Sequence, residues 1–205
     1  MLTILHLSDL HRSQIAPVSN DMLLSCLLLD LEKQQDENPT IHKCDVVIVT
    51  GDLISGVPIE DTDFSDTLTK QYHEAKSFLI HLSKELFDGD LSRVFLMPGN
   101  HDVCWQLSKQ SMECVEAAGR TNISELLRDA KSPYRLSLDE LKLYRIKDHD
   151  LYKTRLKYFK EFFDDFYKMQ GYKFCLEDNE QAINFITSDR KAMFTGFSSL
   201  DLSLN

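Results

Sequence analysis

Phe95-Leu-Met-Pro-Gly-Asn-His-Asp102 is the stretch of this sequence that decides which fold it predicts. The apolar run over residues 93–97 indicates a β-strand, which Pro98 and Gly99 bring to an end. The three residues that follow carry an amide, an imidazole and a carboxylate, which are groups that bind metals or transfer protons. The stretch therefore predicts a strand whose carboxyl end leads into a functional site.

Two earlier stretches repeat this design. A β-rich run over residues 2–7 leads to Asp9 and His11, and a second run over residues 45–50 leads to Asp52. Each interval between the runs has room for one helix with its loops, so the three strands are predicted to be parallel neighbours. Because ligands bind at the carboxyl ends of the strands in open α/β sheets, we expect the polar side chains to converge.

The converging groups predict a site for divalent metal ions. The candidate ligands are Asp9, His11, Asp52 and Asn100. Carboxylate and amide oxygens mixed with imidazole suit Mn, Fe, Zn or Ni in a site that also contains water, unlike a closed cysteine-type site. A carboxylate on the middle strand is placed to bridge two ions about 3.5–4 Å apart, and such pairs act in phosphoryl displacement. We therefore expect two divalent ions, with manganese favoured.

The same residues resemble the motifs of a known family. In order and spacing they are similar to the first three motifs of the calcineurin-like metallophosphoesterases, here Asp9-x-His11, Gly51-Asp52 and Gly99-Asn100-His101-Asp102. The resemblance implies an α/β fold of the α+β sandwich type, in which a calcineurin-like sheet carries flanking helices. Asp9 and His11 are then ligands of the first metal. Asp52 bridges the two metals, and Asn100 binds the second.

The resemblance also assigns catalytic roles to His101 and Asp102. It implies that His101 contacts the substrate phosphate or protonates the leaving group, and that Asp102 orients the His101 ring. The pairing also makes chemical sense without the resemblance, because a carboxylate partner fixes the tautomer of an imidazole and raises its basicity. His101 is therefore the predicted general acid.

The chain departs from the family pattern after the third motif. Family members complete the site with a lone histidine and a Gly-His-x-His on later strands, and neither occurs before Asn205. His149 is the only histidine after His101, and its charged setting favours a role other than that of a ligand. We therefore expect residues 1–205 to form one metallophosphoesterase domain whose C-terminal part is missing, with further C-terminal domains of the same protein as candidate partners.

A charged and aromatic segment over about residues 103–171 is predicted to be a helical insertion that caps the metal-binding edge. Helix starts are predicted at Asn122 and, from a capping box, at Ser137. A further helix, over about residues 151–169, presents a stripe formed by Leu156, Phe159, Phe163 and Phe166. We interpret this stripe as a packing face, with base stacking as the alternative.

The remaining elements are predicted from apolar periodicity. One helix begins at Ser19 and is apolar nearly all round, so it should be covered on most sides. Another spans about residues 67–87 and has one apolar face. After the insertion, strand-like runs over residues 172–176, 182–187 and 192–196 return the chain to β structure.

The acidic balance of the chain limits the classes of partner. Its 205 residues include 23 basic and 33 acidic side chains, which gives a formal net charge of −10. A protein that holds nucleic acid by charge alone is therefore disfavoured, although two bound cations would attract a phosphate locally. Five cysteines without a C-x-x-C pair indicate reduced thiols. With no room for a signal peptide and no long apolar run, we expect a cytoplasmic protein without a membrane partner.

These observations predict one main function and two alternatives. We expect a metal-dependent phosphoesterase that hydrolyses a phosphodiester, with nucleotides or nucleic acid favoured, and with nucleic acid as a substrate only. The first alternative is a binding or regulatory module that keeps the fold but lacks the ligands for a second metal. The second is a DNA nuclease resembling the repair-complex nuclease, because residues 4–11 share its Ile-Leu-His-x-Ser-Asp-x-His pattern.

Overall fold

A parallel sheet positions the candidate site in the computed structural model, which describes residues 2–115, 123–127, 132–137, 140–177, 181–187 and 192–196. Its strands are β1 (Ile4–Leu7), β2 (Val46–Thr50) and β3 (Val94–Met97), hydrogen-bonded in the order β1-β2-β3. Leu7 pairs with Val49, and Thr50 pairs with Met97, so the three carboxyl ends lie at one edge. The three strands and their parallel arrangement were predicted from the sequence, and they are confirmed.

Helix α2 (Phe64–Phe87) supplies the main helical layer over this sheet. Its buried side chains recur at helical spacing and share one hydrophobic core with β2 and β3; they include Leu68, Tyr72, Ala75, Phe78, Leu79 and Leu82. The helix begins three residues before the predicted residue 67 and ends at the predicted Phe87. The single apolar face read from the sequence is therefore confirmed.

Helix α1 (Asn20–Glu37) differs from its prediction. Its start is as expected, because the Ser19 side chain caps the helix by accepting a hydrogen bond from the Met22 N–H at 3.3 Å. However, none of its residues is buried, and Leu29 is 65% exposed. Helix α1 lies against α2, and its Leu23, Leu24 and Leu27 are only partly buried against the core. The prediction that α1 is covered on most sides is therefore wrong.

The segment that follows β3 contains helices and a second sheet. The helices are α3 (Trp105–Gln110), α4 (Ile123–Leu127), α5 (His149–Lys153) and α6 (Lys157–Phe166), and the strands are β4 (Met112–Val115), β5 (Tyr134–Ser137) and β6 (Lys142–Ile146). These strands form an antiparallel sheet in the order β4-β6-β5. Helix α4 begins beside the predicted start at Asn122, which lies outside the described residues. The segment is therefore a mixed helical and β insertion.

The helix predicted to start at Ser137 is wrong. The Ser137 hydroxyl does accept the capping hydrogen bond from the Glu140 N–H, at 3.2 Å. However, the next residue, Leu141, adopts a left-handed φ of 52°, and the chain turns back as β6. The same local hydrogen bond serves a turn here, because Ser side chains cap turns as well as helices.

The aromatic stripe on α6 is a packing face, as predicted. Phe159 and Phe163 are fully buried, and both rings pack against Phe174. Nearby, the Tyr167 hydroxyl donates a hydrogen bond to the main-chain carbonyl of Val94 in β3. The stripe therefore joins the insertion to the central sheet, and its rings are not available for base stacking. The predicted long helix is divided into α5, a short 3-10 turn and α6.

A two-stranded antiparallel sheet closes the described part of the chain. It contains β7 (Ile183–Ile186) and β8 (Met193–Gly196), which confirms the last two predicted strand runs. Phe185 and Phe194 both pack on Phe95 of β3, with ring centroids 4.9 and 4.8 Å away. The run over residues 172–176 forms no strand, so that prediction is wrong. Among the described residues, no helix combines the length and the apolarity that crossing a bilayer requires.

Candidate metal centre

Three loops meet at the carboxyl edge of the parallel sheet. The loop after β1 runs beside the loop after β2, because the His11 N–H donates to the Asp52 carbonyl and the Arg12 N–H donates to the Leu53 carbonyl, each at 2.9 Å. The loop after β3 reaches the same point, where the His101 N–H donates to Asp52 Oδ1 at 3.0 Å. Asp52 therefore lies at the centre of the three loops.

The backbone at this edge adopts conformations that side chains usually avoid. Asp9, His11 and Asp52 have left-handed φ angles of 54°, 44° and 51°. A non-glycine residue in such a conformation typically costs about 1–3 kcal/mol, so the surrounding hydrogen bonds must hold it in place. Strain of this kind is concentrated at functional sites, and this supports a functional role for the carboxyl edge of the sheet.

Two glycines allow the loops after β2 and β3 to approach each other. A Cβ atom on Gly51, which has a φ of +93°, would lie 2.6 Å from the Cα of Gly99. A Cβ atom on Gly99 would overlap the carboxylate and the main-chain nitrogen of Asp52. Only glycine fits both positions, because backbone lies directly opposite each of them. The Gly-Asp and Gly-Asn pairs of the sequence motifs are therefore needed for the shape of the site.

The side chains of His11, Asp52 and His101 form a compact cluster. One potential ligand atom from each residue lies within 4.8 Å of the others, and all three residues are partly exposed. The two imidazole rings meet edge to face, with their centroids 4.6 Å apart at 88°. Two nitrogen donors and one carboxylate at this separation can surround a single divalent cation.

Two predicted ligands lie beside this cluster. Asp9 Oδ1 is 3.8 Å from His11 Nε2, and the Asp9 side chain is 66% exposed. Asn100 begins the short 3-10 turn Asn100–Asp102 that follows β3. The structure thus brings His11 and Asp52 together with His101, which was predicted to be an acid and not a ligand. The metal-binding roles of Asp9 and Asn100 stay predictions.

A main-chain carbonyl orients the His101 ring. His101 Nδ1 lies 2.8 Å from the carbonyl oxygen of Ser55, and the Ser55 hydroxyl donates to the His11 carbonyl at 2.8 Å. Because a carbonyl oxygen can only accept, Nδ1 carries the proton in this arrangement. The other nitrogen, Nε2, then remains free to contact a metal ion or a substrate oxygen.

The predicted contact between Asp102 and the His101 ring is wrong. The Asp102 carboxylate instead accepts hydrogen bonds from the Gly99 N–H at 2.8 Å and the Leu53 N–H at 3.3 Å. Its other oxygen accepts from the Tyr72 hydroxyl of α2 at 3.1 Å. Asp102 is 2% exposed. Through these three hydrogen bonds it joins the loops after β2 and β3 to α2. A carboxylate with buried donors on two loops cannot also turn outward to the imidazole.

Burial and hydrogen bonding act on Asp102 in opposite directions. Burial raises the pKa of Asp102 to about 7, because a charged carboxylate loses its hydration there. The Gly99 and Leu53 N–H groups and the Tyr72 hydroxyl lower this pKa, but by less than burial raises it. Burial also raises the pKa of Tyr72 well above its ordinary value, so its hydroxyl stays protonated and able to donate.

A comparison with protein families agrees with this geometry. The family described as calcineurin-like phosphoesterase matches residues 2–193, which include all three loops and most of the chain. The chain belongs to this family. No match was found among curated proteins or among solved structures.

The residues of this calcineurin-like phosphoesterase fit the kind of cofactor that its family uses. Members typically depend on two metal ions and hydrolyse phosphoester bonds. The His11, Asp52 and His101 donors are a mixed nitrogen and oxygen set, which suits divalent transition metals. His149, by contrast, is exposed at the first residue of α5 and lies outside the cluster.

Two residues of this calcineurin-like phosphoesterase site were not found from its sequence. Ser55 contacts His101 through its main-chain oxygen, which every residue type possesses. Tyr72 lies on the apolar face of α2, and its ring is in the core. Nothing local in the sequence indicates that its hydroxyl reaches Asp102, which lies 30 residues away.

Proposed function

We propose that this protein hydrolyses phosphodiesters with two divalent metal ions bound by Asp9, His11, Asp52 and Asn100, with His101 beside them. Nucleotides or nucleic acid are the favoured substrates, and manganese is the favoured metal. The observation that carries the proposal is the convergence of the His11, Asp52 and His101 side chains at the carboxyl edge of the sheet, in a chain of the calcineurin-like phosphoesterase family. When bound, such ions neutralise the charge of the phosphoryl group and activate the attacking water.

The proposed ligands are residues of the three loops. His11 and Asp52 hold the metals, with Asp9 next to His11 and Asn100 on the loop after β3. Asp52 is the proposed bridge, because it follows the middle strand and offers a carboxylate oxygen within 4.8 Å of a nitrogen of each imidazole. Its own left-handed backbone and its contact with the His101 N–H hold the carboxylate in place before any ion binds.

His101 is the proposed acid for the leaving group. Its Nδ1 is held by the Ser55 carbonyl, so Nε2 is the nitrogen from which a proton would pass to the departing oxygen. Asp102 supports this step indirectly, as a positioning residue. It fixes the loop that carries His101 through its hydrogen bond from the Gly99 N–H.

A metal-binding module without turnover is the second candidate. It is favoured by the size of the cluster, which among the described residues contains three side chains of the His, Cys, Asp or Glu type. Three such ligands suffice for one cation, whereas a pair of cations usually shares more. Metal content and turnover must therefore be measured on the same preparation.

Substitution of Asp52 tests both candidates. We expect the unmodified protein to retain about two ions per chain after dialysis and to hydrolyse bis-p-nitrophenyl phosphate with manganese. Asp52→Asn should lower turnover more than about 100-fold and reduce the metal content, because the central carboxylate is lost. Metal content is measured by plasma mass spectrometry.

Asp36→Asn is the matched control, because Asp36 is exposed on α1, away from the loops. It should change neither metal content nor turnover. An Asp52→Asn protein that hydrolyses the ester at the unmodified rate would refute the proposed function. Bound metal without turnover in the unmodified protein would instead favour the binding module.

A further inference from the structure

A pocket of about 480 Å³ opens directly beside the metal cluster. It lies between the loop after β1, the loop after β2 and the first turns of α2, and it shares His11 with the cluster. Ser55, whose carbonyl orients His101, also lines it. A phosphodiester bound at the cluster therefore has room for one of its organic groups in this pocket.

The walls of the pocket are apolar and uncharged over most of their area. Ala16 and Pro17 line one side, and Val57 and Pro58 line another. Gln71 of α2 is 7% exposed and donates to the Gly56 carbonyl, while its own side-chain oxygen has no hydrogen-bond partner among the described residues. Apolar walls with a few fixed polar groups are typical of sites for small organic ligands, and the volume lies within their usual range of about 300–1,000 Å³.

The charge around the pocket disfavours further phosphates. None of the described residues that line it is a lysine or an arginine, and Asp61 is one of them. The Asp61 carboxylate is held in position by the Asp63 N–H at 2.8 Å. Lys70 lines a smaller adjoining pocket, but its charge is matched by Asp66 at 2.5 Å. A second phosphate would meet like charge here and would lack a basic partner.

We infer that this pocket binds the uncharged organic group of the substrate, a ring system of about the size of a nucleoside. The inference rests on the proposed function and narrows it, because the preferred substrate becomes a small nucleotide diester and not a nucleic-acid strand. A strand would place its successive phosphates along a wall whose described residues include no lysine or arginine and one carboxylate, that of Asp61. A single nucleoside places only neutral atoms there.

Two esters that share one leaving group test the inference. Thymidine 5′-(p-nitrophenyl phosphate) carries a nucleoside, and methyl p-nitrophenyl phosphate carries a methyl group in its place. With the manganese-loaded protein, the KM for the thymidine ester should be at least about tenfold lower, since only its nucleoside fills the pocket. Decathymidylate, a polyanion, should have a higher KM than the thymidine ester.

Substitutions that fill the pocket should remove this preference. Thr67→Phe, on the α2 wall, should reduce the ratio of the two KM values to less than about threefold. Ala16→Phe does the same from the opposite wall, which guards against misfolding of one variant. Thr69→Phe is the matched control, because Thr69 lies on the same helix but is exposed and outside the pocket. It should keep the preference.

The outcomes separate this inference from the proposed function. Equal KM values for the two esters, or a preference that survives in both pocket variants, would overturn the inference while hydrolysis itself stands. A lower KM for decathymidylate would overturn it in favour of a strand-binding groove. If no ester is hydrolysed, the proposed function fails, and the inference about the pocket is then tested by saturation-transfer NMR of thymidine with the metal-free protein. A thymidine signal that disappears in Thr67→Phe would support nucleoside binding in the pocket. The lack of any signal with the unmodified protein would refute nucleoside binding.

Discussion

At the scale of single residues, Asp102 controls the geometry of two loops that carry candidate ligands. Its carboxylate accepts from the Leu53 and Gly99 N–H groups, which lie next to Asp52 and Asn100 in the chain. Buried hydrogen bonds of this kind are costly to break, because the groups left behind find no water. The hydroxyl of Tyr72 completes the set of donors on Asp102.

Tyr72→Phe should therefore destabilise the protein although its ring remains in place. We expect the free energy of unfolding to fall by about 1–3 kcal/mol, because Asp102 loses a buried donor. Urea denaturation of the metal-free protein measures the change. Tyr172→Phe is the control, since the contacts of the Tyr172 hydroxyl among the described residues are long and exposed, 3.3 and 3.4 Å to the main chain of Ile186. Equal losses in the two variants would contradict the role given to Tyr72.

Which site residues could be predicted from the sequence depends on how each makes its contact. His11, Asp52 and His101 were found because their side chains follow strands whose ends must meet. The positions of Ser55 and Tyr72 could not be found in this way. Ser55 acts through its main-chain carbonyl, and Tyr72 acts through a hydrogen bond to a residue distant in sequence. Neither contact can be recognised from the neighbouring sequence.

At the scale of elements, α1 and α2 show how differently two leucine-rich helices can be used. Helix α2 buries a continuous face in the core, whereas α1 buries no residue. The stability of the protein should therefore depend on α2 far more than on α1. The apolar residues of α1 surround the whole helix, so their pattern alone could not predict which side would be covered.

Substitutions of one leucine on each helix test this difference. Leu79→Ala on α2 should lower the free energy of unfolding by about 2–5 kcal/mol, because Leu79 is fully buried. Leu29→Lys on α1 should change it by less than about 0.5 kcal/mol, because Leu29 is 65% exposed. Both values come from urea denaturation monitored by circular dichroism. A loss above 2 kcal/mol for Leu29→Lys would mean that α1 is covered in solution.

The mispredicted strand β6 lies where local sequence signals compete with strand pairing. Strands β1, β2 and β3 were evident because each is an apolar run closed by polar or turn residues. Strand β6 was missed because Ser137 and Glu140 locally match a helix start, although β6 pairs with the preceding β5 and with β4, about 30 residues earlier. The local helix-start pattern and the strand pairing of β6 favour different structures there, and the chain adopts the strand.

At the scale of the whole molecule, acid sensitivity should come from a few carboxylates of the segment that follows β3. Hydrogen bonds from Lys109 and Tyr144 lower the pKa of Glu140 from 4.5 to about 2. The pKa of Asp164 is also lowered, by Lys160 and the Phe174 N–H acting against burial, and the pKa of Asp165 is lowered by Lys76 of α2. The contact between Asp165 and Lys76 attaches the segment to α2, whereas the contacts of Glu140 and Asp164 hold together the segment and the residues just after it.

Glu140→Gln should make the protein less sensitive to acid. Because the pKa of Glu140 is lower in the folded state, its stabilisation is present above about pH 4.5 and is lost as the pH falls towards about 2. The side chain is 36% exposed, so solvent screening limits the effect to less than about 1 kcal/mol. The readout is the urea midpoint at pH 6 and at pH 3. The midpoint of the variant should fall less between these two values.

The matched control is Glu161→Gln. The Glu161 carboxylate is exposed and lies 3.9 Å from Lys157, so its ion pair is weak. Its acid dependence should match that of the unmodified protein. If Glu140→Gln also keeps the full acid dependence, the contact with Lys109 does not stabilise the fold.

The main-chain contact between Ser55 and His101 makes the orientation of the His101 ring tolerant of point mutation at position 55. Any residue at position 55 still presents a carbonyl oxygen, so replacing the side chain leaves the acceptor for Nδ1 in place. An insertion or deletion between Asp52 and Gly56 would displace this carbonyl, because it would move the carbonyl along the loop. In this protein the direction in which the His101 imidazole points depends more on the length of the loop from Asp52 to Gly56 than on the side chain at position 55.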